Sequence, residues 1–478
     1  MTDRPTLSVG IPSVRTAGTF IPRTRRSFGA QPNGASNVVS FGRMFALAGL
    51  VIVGLIATLV ACLTPLQYPA FMAMSGLATL ALLALMLIMP PRPGSGLLKA
   101  YFGVVVVFHF GLIPSYLLTF SGGSIEAGSY WIFDEHYTRQ AVRACLVFIA
   151  VFAATTVLTS TLPSSTAIKR SIFKADPRMA RVALFSLVTT IWTWFILVIL
   201  VARPTSYMDY YHFFEVTGLG NAIAFLHTAI AASFFLACLN GRSVAVPFLL
   251  FALWAVFAFP LGLRAHVIFP LVLTLPLLMN QGRLRIHWLA MAAGVLLTMS
   301  ASTIVAQSRV GAEIENASPL AALAELGGSL RPSYEVERWL YSGDRLRLGA
   351  TYIAPVERTI FRILPVGTRV AGIEDHRLMN VLILKRAGPY GFSIIAEAVI
   401  NFGLWGAAAV GAFAALILRW ASARLALNHR PILNAAIAFG LIVHIRQAFV
   451  SGFGATLAFL ACAGLLVLIS RAIFRVTR

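Results

Sequence analysis

Two arginines stand where a cation is costly, and they are the first candidates for chemistry. Arg264 lies in Pro260-Leu-Gly-Leu-Arg-Ala-His266 between two apolar stretches, and Arg446 lies in His444-Ile-Arg-Gln447 at the end of a third. A charged side chain at membrane depth is expensive unless it faces protein or water. A guanidinium stays protonated and its fork matches two phosphate oxygens, which suits a lipid-linked diphosphate headgroup. The plainer reading of each is an arginine reaching from a helix end to headgroup phosphate. A hydrophilic tract adds Arg331, Arg338, Arg345, Arg347, Arg358, Arg362 and Arg369. Arg358 and Arg362 are four apart and share a face if Val356 to Arg362 is helical. A solvated basic face would use the same residues.

Glu397 is an isolated carboxylate in the apolar segment Gly391 to Gly403, with Asn401 one helical turn further on. Such a group can act as a general base, orient a loop arginine, or close a structural ion pair. His266 and His444 neighbour the two arginines, whereas His109 and His227 lie inside apolar runs and read as core donors. No HExxH, paired-Asp or Cys-His spacing offers a metal site, and no Walker or GxGxxG loop offers a nucleotide site. Neither metal nor cofactor is expected, and neither is ATP-driven transport. Cys62, Cys145, Cys238 and Cys462 have no CxxC or ligand spacing and read as small apolar core residues.

The elements that must position these residues are transmembrane helices. Of 478 residues, 58% are hydrophobic and 12% charged, and the mean hydropathy is +0.82, which only lipid can solvate. Apolar runs predict about twelve spans, at 43–64, 68–90, 99–120, 140–162, 181–202, 219–240, 243–262, 266–280, 287–306, 394–420, 432–449 and 453–471. The formal charge of +21 is spread over interhelical loops, which marks orientation and argues against a nucleic-acid surface. With the N-terminus inside, the Lys and Arg clusters of the short loops fall in the cytoplasm, as does the C-terminus. Glu126, Asp134, Glu135, Asp209 and Glu215 then face out, and Arg264 and Arg446 run against the bias. The expected organisation is a disordered basic cytoplasmic tail (1–42), nine spans (43–306), a large outer loop with short amphipathic helices (307–393), and three spans with a short tail (394–478). Pro319 to Leu326 and Tyr352 to Leu364 carry the helical patterns in that loop.

Gly327-Gly-Ser-Leu-Arg-Pro332, Gly349-Ala-Thr-Tyr-Ile353, Phe392-Ser-Ile-Ile-Ala-Glu-Ala398 and Asn401-Phe-Gly403 together resemble the outer loop and following helix of Wzy-type O-antigen polysaccharide polymerases. Gly262 to Arg264 and the His-Ile-Arg at Arg446 resemble that family's outward arginine positions, and no clean second copy of the arginine motif is present. The resemblance implies a metal-independent membrane glycosyltransferase of GT-C-like helical fold in the bacterial inner membrane. It implies undecaprenyl-diphosphate-linked oligosaccharides as substrate, with a separate flippase and a chain-length regulator as partners. On that reading Arg264, Arg446, Arg331, Arg358, Arg362, Tyr352, Asn401 and His444 bind diphosphate or glycan, and Glu397 and His266 are the candidate bases. An O-antigen ligase shares the architecture, and a lipid-linked oligosaccharide flippase is a different class of answer. The flippase should show pseudo-symmetric repeats and short loops.

Overall fold

The computed structural model describes residues 41–90, 94–119, 127–161, 176–204, 207–284, 319–363, 374–388, 390–426 and 430–475. The chain divides into Met1–Ala46 and Leu47–Arg478, and every helix from Tyr68 onward belongs to the second unit. No strand occurs among the described residues. In chain order come α1 (Phe41–Leu63), α2 (Tyr68–Ile88), α3 (Ser95–Phe110), α4 (Leu112–Leu118), a 3-10 turn (Ala127–Phe133), α5 (Glu135–Thr161) and α6 (Pro177–Phe195), which continues as a π-helix to Ala202. Then follow α7 (Tyr207–Val216), α8 (Gly220–Asn240), α9 (Ala245–Ala258) and α10 (Arg264–Asn280). The later elements are α11 (Pro319–Leu326), a 3-10 turn (Gly327–Leu330), α12 (Arg331–Tyr341), α13 (Ala350–Ile363), α14 (Met379–Arg386), α15 (Ile394–Ala426), α16 (Pro431–His444) and α17 (Phe449–Arg475).

Among the described residues, six helices are long and apolar enough to cross a bilayer: α2, α5, α6 with its continuation, α8, α15 and α17. The pair α3 and α4, bent by 41°, makes a seventh. Gly49–Leu63, α9, α10 and α16 are apolar but shorter. Each span expected from hydropathy falls on one of these helices except 287–306, which lies outside the described residues, as do Glu126 and Arg369. Two helices of the hydrophilic tract, α11 and α13, occupy the segments whose pattern predicts them.

Sequence chemistry sets the helix ends. Asp176 caps α6, its carboxylate accepting from the Arg178 and Met179 amides at 3.0 and 3.3 Å just before Pro177, a favoured first residue. Arg283 donates to the Cys238 and Leu239 carbonyls at 2.7 and 2.9 Å, answering the negative end of α8. The bend between α3 and α4 falls at Gly111, where the 3-10 turn lies backbone against backbone. A Cβ on Gly327 would sit 2.2 Å from the Leu112 amide nitrogen, so only glycine fits there.

One large core joins α2, α3, α5, α12 and α15 through residues such as Phe71, Tyr101, Phe148, Phe152 and Ile395. A second core, with Trp194, Phe234, Phe251 and Trp254, joins α6, α8 and α9. Phe185 of α6 and Trp405 of α15 are 72% and 85% exposed. Large apolar side chains turned outward from such helices need lipid as solvent.

Candidate functional site

The best-built polar cluster sits where three helices end or break. Helix α15 contains one non-helical residue, Gly403, at φ 64° and ψ −152°, a conformation that side chains strongly disfavour. A break of this kind takes nearby carbonyls out of the regular ladder, and the Ile400 and Asn401 carbonyls accept from the Arg347 and Leu348 amides at 2.9 and 3.1 Å. Asn401 completes the attachment. Its Oδ1 accepts from the Gly349 amide at 2.8 Å, and its Nδ2 donates to Thr351 Oγ1 and to the Glu397 carbonyl, both at 2.7 Å. The loop before α13 is thereby fastened to the start of α15.

One turn earlier on α15, Glu397 is 1% exposed. Its Oε2 accepts from His444 Nε2 at 3.1 Å and from the Phe449 amide at 2.6 Å. His444 is the last residue of α16 and Phe449 the first of α17. The carboxylate thus caps the positive end of α17 and holds an imidazole at the negative end of α16, where both charges are favoured. A carboxylate only accepts, so His444 Nε2 carries the proton of this hydrogen bond, and Nδ1 is the ring nitrogen left to face a ligand.

Tyr352 of α13 covers this pair. Its ring is edge-on to His444 at 6.5 Å and to Phe449 at 5.2 Å. Its hydroxyl is buried without a hydrogen-bond partner among the described residues, and burial, with Glu397 nearby, raises its pKa well above the ordinary tyrosine value. Buried polar atoms are rarely left unmatched, so an orphan hydroxyl beside a carboxylate–imidazole pair marks a place for a polar ligand.

The arginines meet carboxylates. Arg264, the first residue of α10 and 2% exposed, puts Nη1 2.6 Å from Glu325 Oε1 of α11, while its Nε and Nη2 are buried with no hydrogen-bond partner among the described residues. Arg331 lies 3.7 Å from Glu335 and over the Tyr390 ring at 3.9 Å. Arg358 is 3.5 Å from Asp375. Burial pushes the Asp375 carboxyl up, but hydrogen bonds from Arg377 outweigh it and, with Arg358, hold it below its usual value. Arg446 follows α16 with its guanidinium over Phe108 at 5.3 Å. The backbone of Arg362 belongs to α13, but its side chain is outside the described set.

His266 is placed elsewhere. Its ring packs on His227 at 4.3 Å, and His227 accepts from Trp194 Nε1 at 3.1 Å, beside the second core. Among the described residues His266 makes no hydrogen bond or ion pair with Glu397 or His444. The structure therefore brings together Glu397, His444, Tyr352 and Asn401 but not His266. Sequence reasoning missed the carboxylates Glu325, Glu335 and Asp375, and it missed Thr351 and Gly349 as anchors of the loop. The signal for Glu325 was present, since the pattern that predicts α11 carries it.

The pattern of the O-antigen polysaccharide polymerase Wzy family matches residues 44–344, more than half of the chain. The chain belongs to this family. With six or seven membrane-capable helices among the described residues, this Wzy-family protein is a multi-pass membrane protein. It is also 30% identical over 87 residues to Protein CapE of Staphylococcus aureus, a stretch spanning 18% of each chain. No solved structure matches. Arg264, Glu325 and Arg331 lie inside the segment matched to the Wzy family, whereas Glu397, His444 and Tyr352 lie beyond its end.

Proposed function

We propose that this Wzy-family protein joins undecaprenyl-diphosphate-linked oligosaccharide repeats into O-antigen or a related surface polysaccharide. The reaction runs at the periplasmic face of the inner membrane, without a metal, on a GT-C-like frame of twelve spans with both termini cytoplasmic and 307–393 outside. A flippase delivers the substrate and a chain-length regulator limits the product. The observation that carries the chemistry is the buried Glu397–His444 pair beneath an unmatched Tyr352 hydroxyl.

In each cycle the non-reducing-end hydroxyl of an incoming repeat attacks the anomeric carbon of the growing chain. His444 Nδ1 takes the hydroxyl proton, and Glu397 fixes the ring and steadies the imidazolium that forms. The bond from the anomeric carbon to the carrier diphosphate breaks, and its electron pair leaves on the diphosphate. Negative charge grows on that leaving group, so Arg264, Arg446, Arg331, Arg358 and Arg362 act most strongly in the transition state. The two unmatched nitrogens of Arg264 are ready donors for phosphate oxygens. Tyr352 offers its hydroxyl to the sugar, and Asn401 keeps Tyr352 in place by tying down its loop. These geometric roles replace Glu397 and His266 as alternative bases by His444, oriented by Glu397.

The test is to give the purified protein in lipid a synthetic undecaprenyl-diphosphate repeat, with no nucleotide, metal or partner. A ladder of longer lipid-linked glycans with released undecaprenyl diphosphate is expected, and it should vanish for His444→Gln. No ladder from folded protein and cognate substrate overturns the reading, and transfer to lipid A core would then identify a ligase.

A further inference from the structure

The dyad region leaves unexplained a patch of rings and carboxylates on α12 and the start of α5. Tyr334 of α12 donates to Asp134 at 3.0 Å, and its ring meets Trp131 at 5.3 Å and Tyr137 at 5.8 Å. Tyr341, two turns along the same helix, meets Tyr137 at 5.6 Å and His136 at 4.9 Å. The outer edge of the cluster is open, with Tyr341 70% exposed. Glu337 lies between Tyr334 and Tyr341 on the same helical face, three residues after one and four before the other.

Glu337 also differs from the other carboxylates that the fold encloses. Glu335 is held by Arg331 and Arg338, Glu325 by Arg264, Asp375 by Arg377, and Glu397 by His444. Glu337 is half-buried and has no ion pair or hydrogen bond among the described residues, and burial pushes its pKa up to about 7. A fold that keeps an unmatched, half-buried carboxyl on the ring-bearing face of α12 has an acceptor in place for a ligand that supplies donors.

We infer that α12, the turn Ala127–Phe133 and the start of α5 form a glycan-binding platform, with Tyr341, Tyr137 and Trp131 stacking on sugar rings and Glu337 and Asp134 receiving their hydroxyls. A pyranose has an apolar C–H face and a rim of hydroxyl donors, which matches rings flanked by carboxylates. Tyr334, pinned by Asp134 and two rings, keeps the platform rigid, which lowers the ordering cost of binding. Anionic headgroups are a poor match because Asp134, Glu135 and Glu337 lie on these elements and the arginines there are engaged: Arg338 meets Glu335 at 2.7 Å, and Arg139 is turned toward Phe71 at 4.9 Å and the Leu66 carbonyl. The inference rests on the polymerase reading for its purpose, to hold the acceptor or the emerging chain, and α12 packs on both α5 and α15, which carries Glu397.

The experiment uses the full chain in lipid nanodiscs. The probe is a set of oligosaccharides of one to three repeats, released by mild acid from the surface polysaccharide of the source bacterium. Saturation-transfer NMR should show sugar protons against aromatic side chains. Tyr341→Leu, which keeps apolar bulk but loses the ring, should weaken binding by about three- to tenfold and shorten the polymer ladder, while Tyr341→Trp restores both. Unchanged binding and ladder for Tyr341→Leu overturn the platform. So does a Tyr341→Leu variant whose defect is confined to membrane anchoring, because that makes the rings an interfacial belt. If the wild type binds the oligosaccharides through the ring but builds no ladder from lipid-linked repeats, the platform stands and the polymerase reading falls.

Discussion

Replacing Glu337 with glutamine keeps the shape of the side chain and removes its charge, so it isolates what that charge costs the fold. Burial takes the carboxyl from an ordinary 4.5 to about 7, and at about 1.4 kcal/mol per pKa unit the full cost of ionising it in place is about 3 kcal/mol. The side chain keeps some solvent contact, so about 1–2 kcal/mol is the expected fraction. The sign follows from the folded state holding the proton more tightly. The cost is absent below about 4.5, grows as pH rises, and is complete above about 7. Glu337→Gln should therefore be more stable than the wild type by about 1–2 kcal/mol at pH 8, relative to their difference at pH 4.5. The assay is denaturant unfolding of both proteins in the same detergent at the two pH values. Taking the difference of differences cancels every other titrating group. A gap that does not change with pH, or one that widens in favour of the wild type at pH 8, would refute the account of Glu337 as an uncompensated carboxyl.

Three further outcomes follow from the same geometry. Glu397→Gln removes the charged acceptor that His444 and the Phe449 amide share, so it should cost about 2–4 kcal/mol in thermal or denaturant unfolding. In the ladder assay the same variant should lower the polymerisation rate by at least about 100-fold. Gly403→Ala places a Cβ at φ 64°, and about 1–3 kcal/mol of stability should be lost. Limited proteolysis should then find the loop around Arg347 to Gly349 more open, because its carbonyl partners sit at the break. Arg264→Ala takes the guanidinium away from the half-buried Glu325 and should cost about 1–3 kcal/mol. The double variant with Glu325→Ala should cost less than the two single changes summed, and strict additivity in that cycle would mean the pair does not interact.

Hydropathy made the helices legible because burial in lipid demands a long apolar run, and α2, α5 and α8 lie close to the predicted spans. Its weakness is at the ends. Span 99–120 reads as one run, yet the chain bends at Gly111 because the backbone of Gly327 presses against it from more than 200 residues away, a contact no local pattern encodes. Glu397 and His444 were both visible as unusual residues, but their pairing was not, since 47 residues separate them and neither carries a motif for the other. His266 shows the opposite failure. Its neighbour Arg264 suggested the site, while the structure turns the ring toward His227. Successive residues of a helix point about 100° apart, so neighbours such as Arg264 and His266 readily serve different interiors.

The clustering of polar function at helix ends and breaks has a common cause. Within a lipid-embedded helix every backbone group is already matched, and a polar side chain there has nothing to bind without a cost. Ends and breaks are different, because they release amides and carbonyls that must find partners. The Phe449 amide finds Glu397, and the Ile400 carbonyl finds Arg347. A carboxylate recruited to match a helix terminus is then held rigidly enough to fix an imidazole, so the satisfaction of the backbone also builds the base. On this argument Glu397 cannot be separated into a structural and a chemical residue. A substitution that restores the hydrogen bonds without the charge should recover more stability than activity, whereas one that restores neither should lose both.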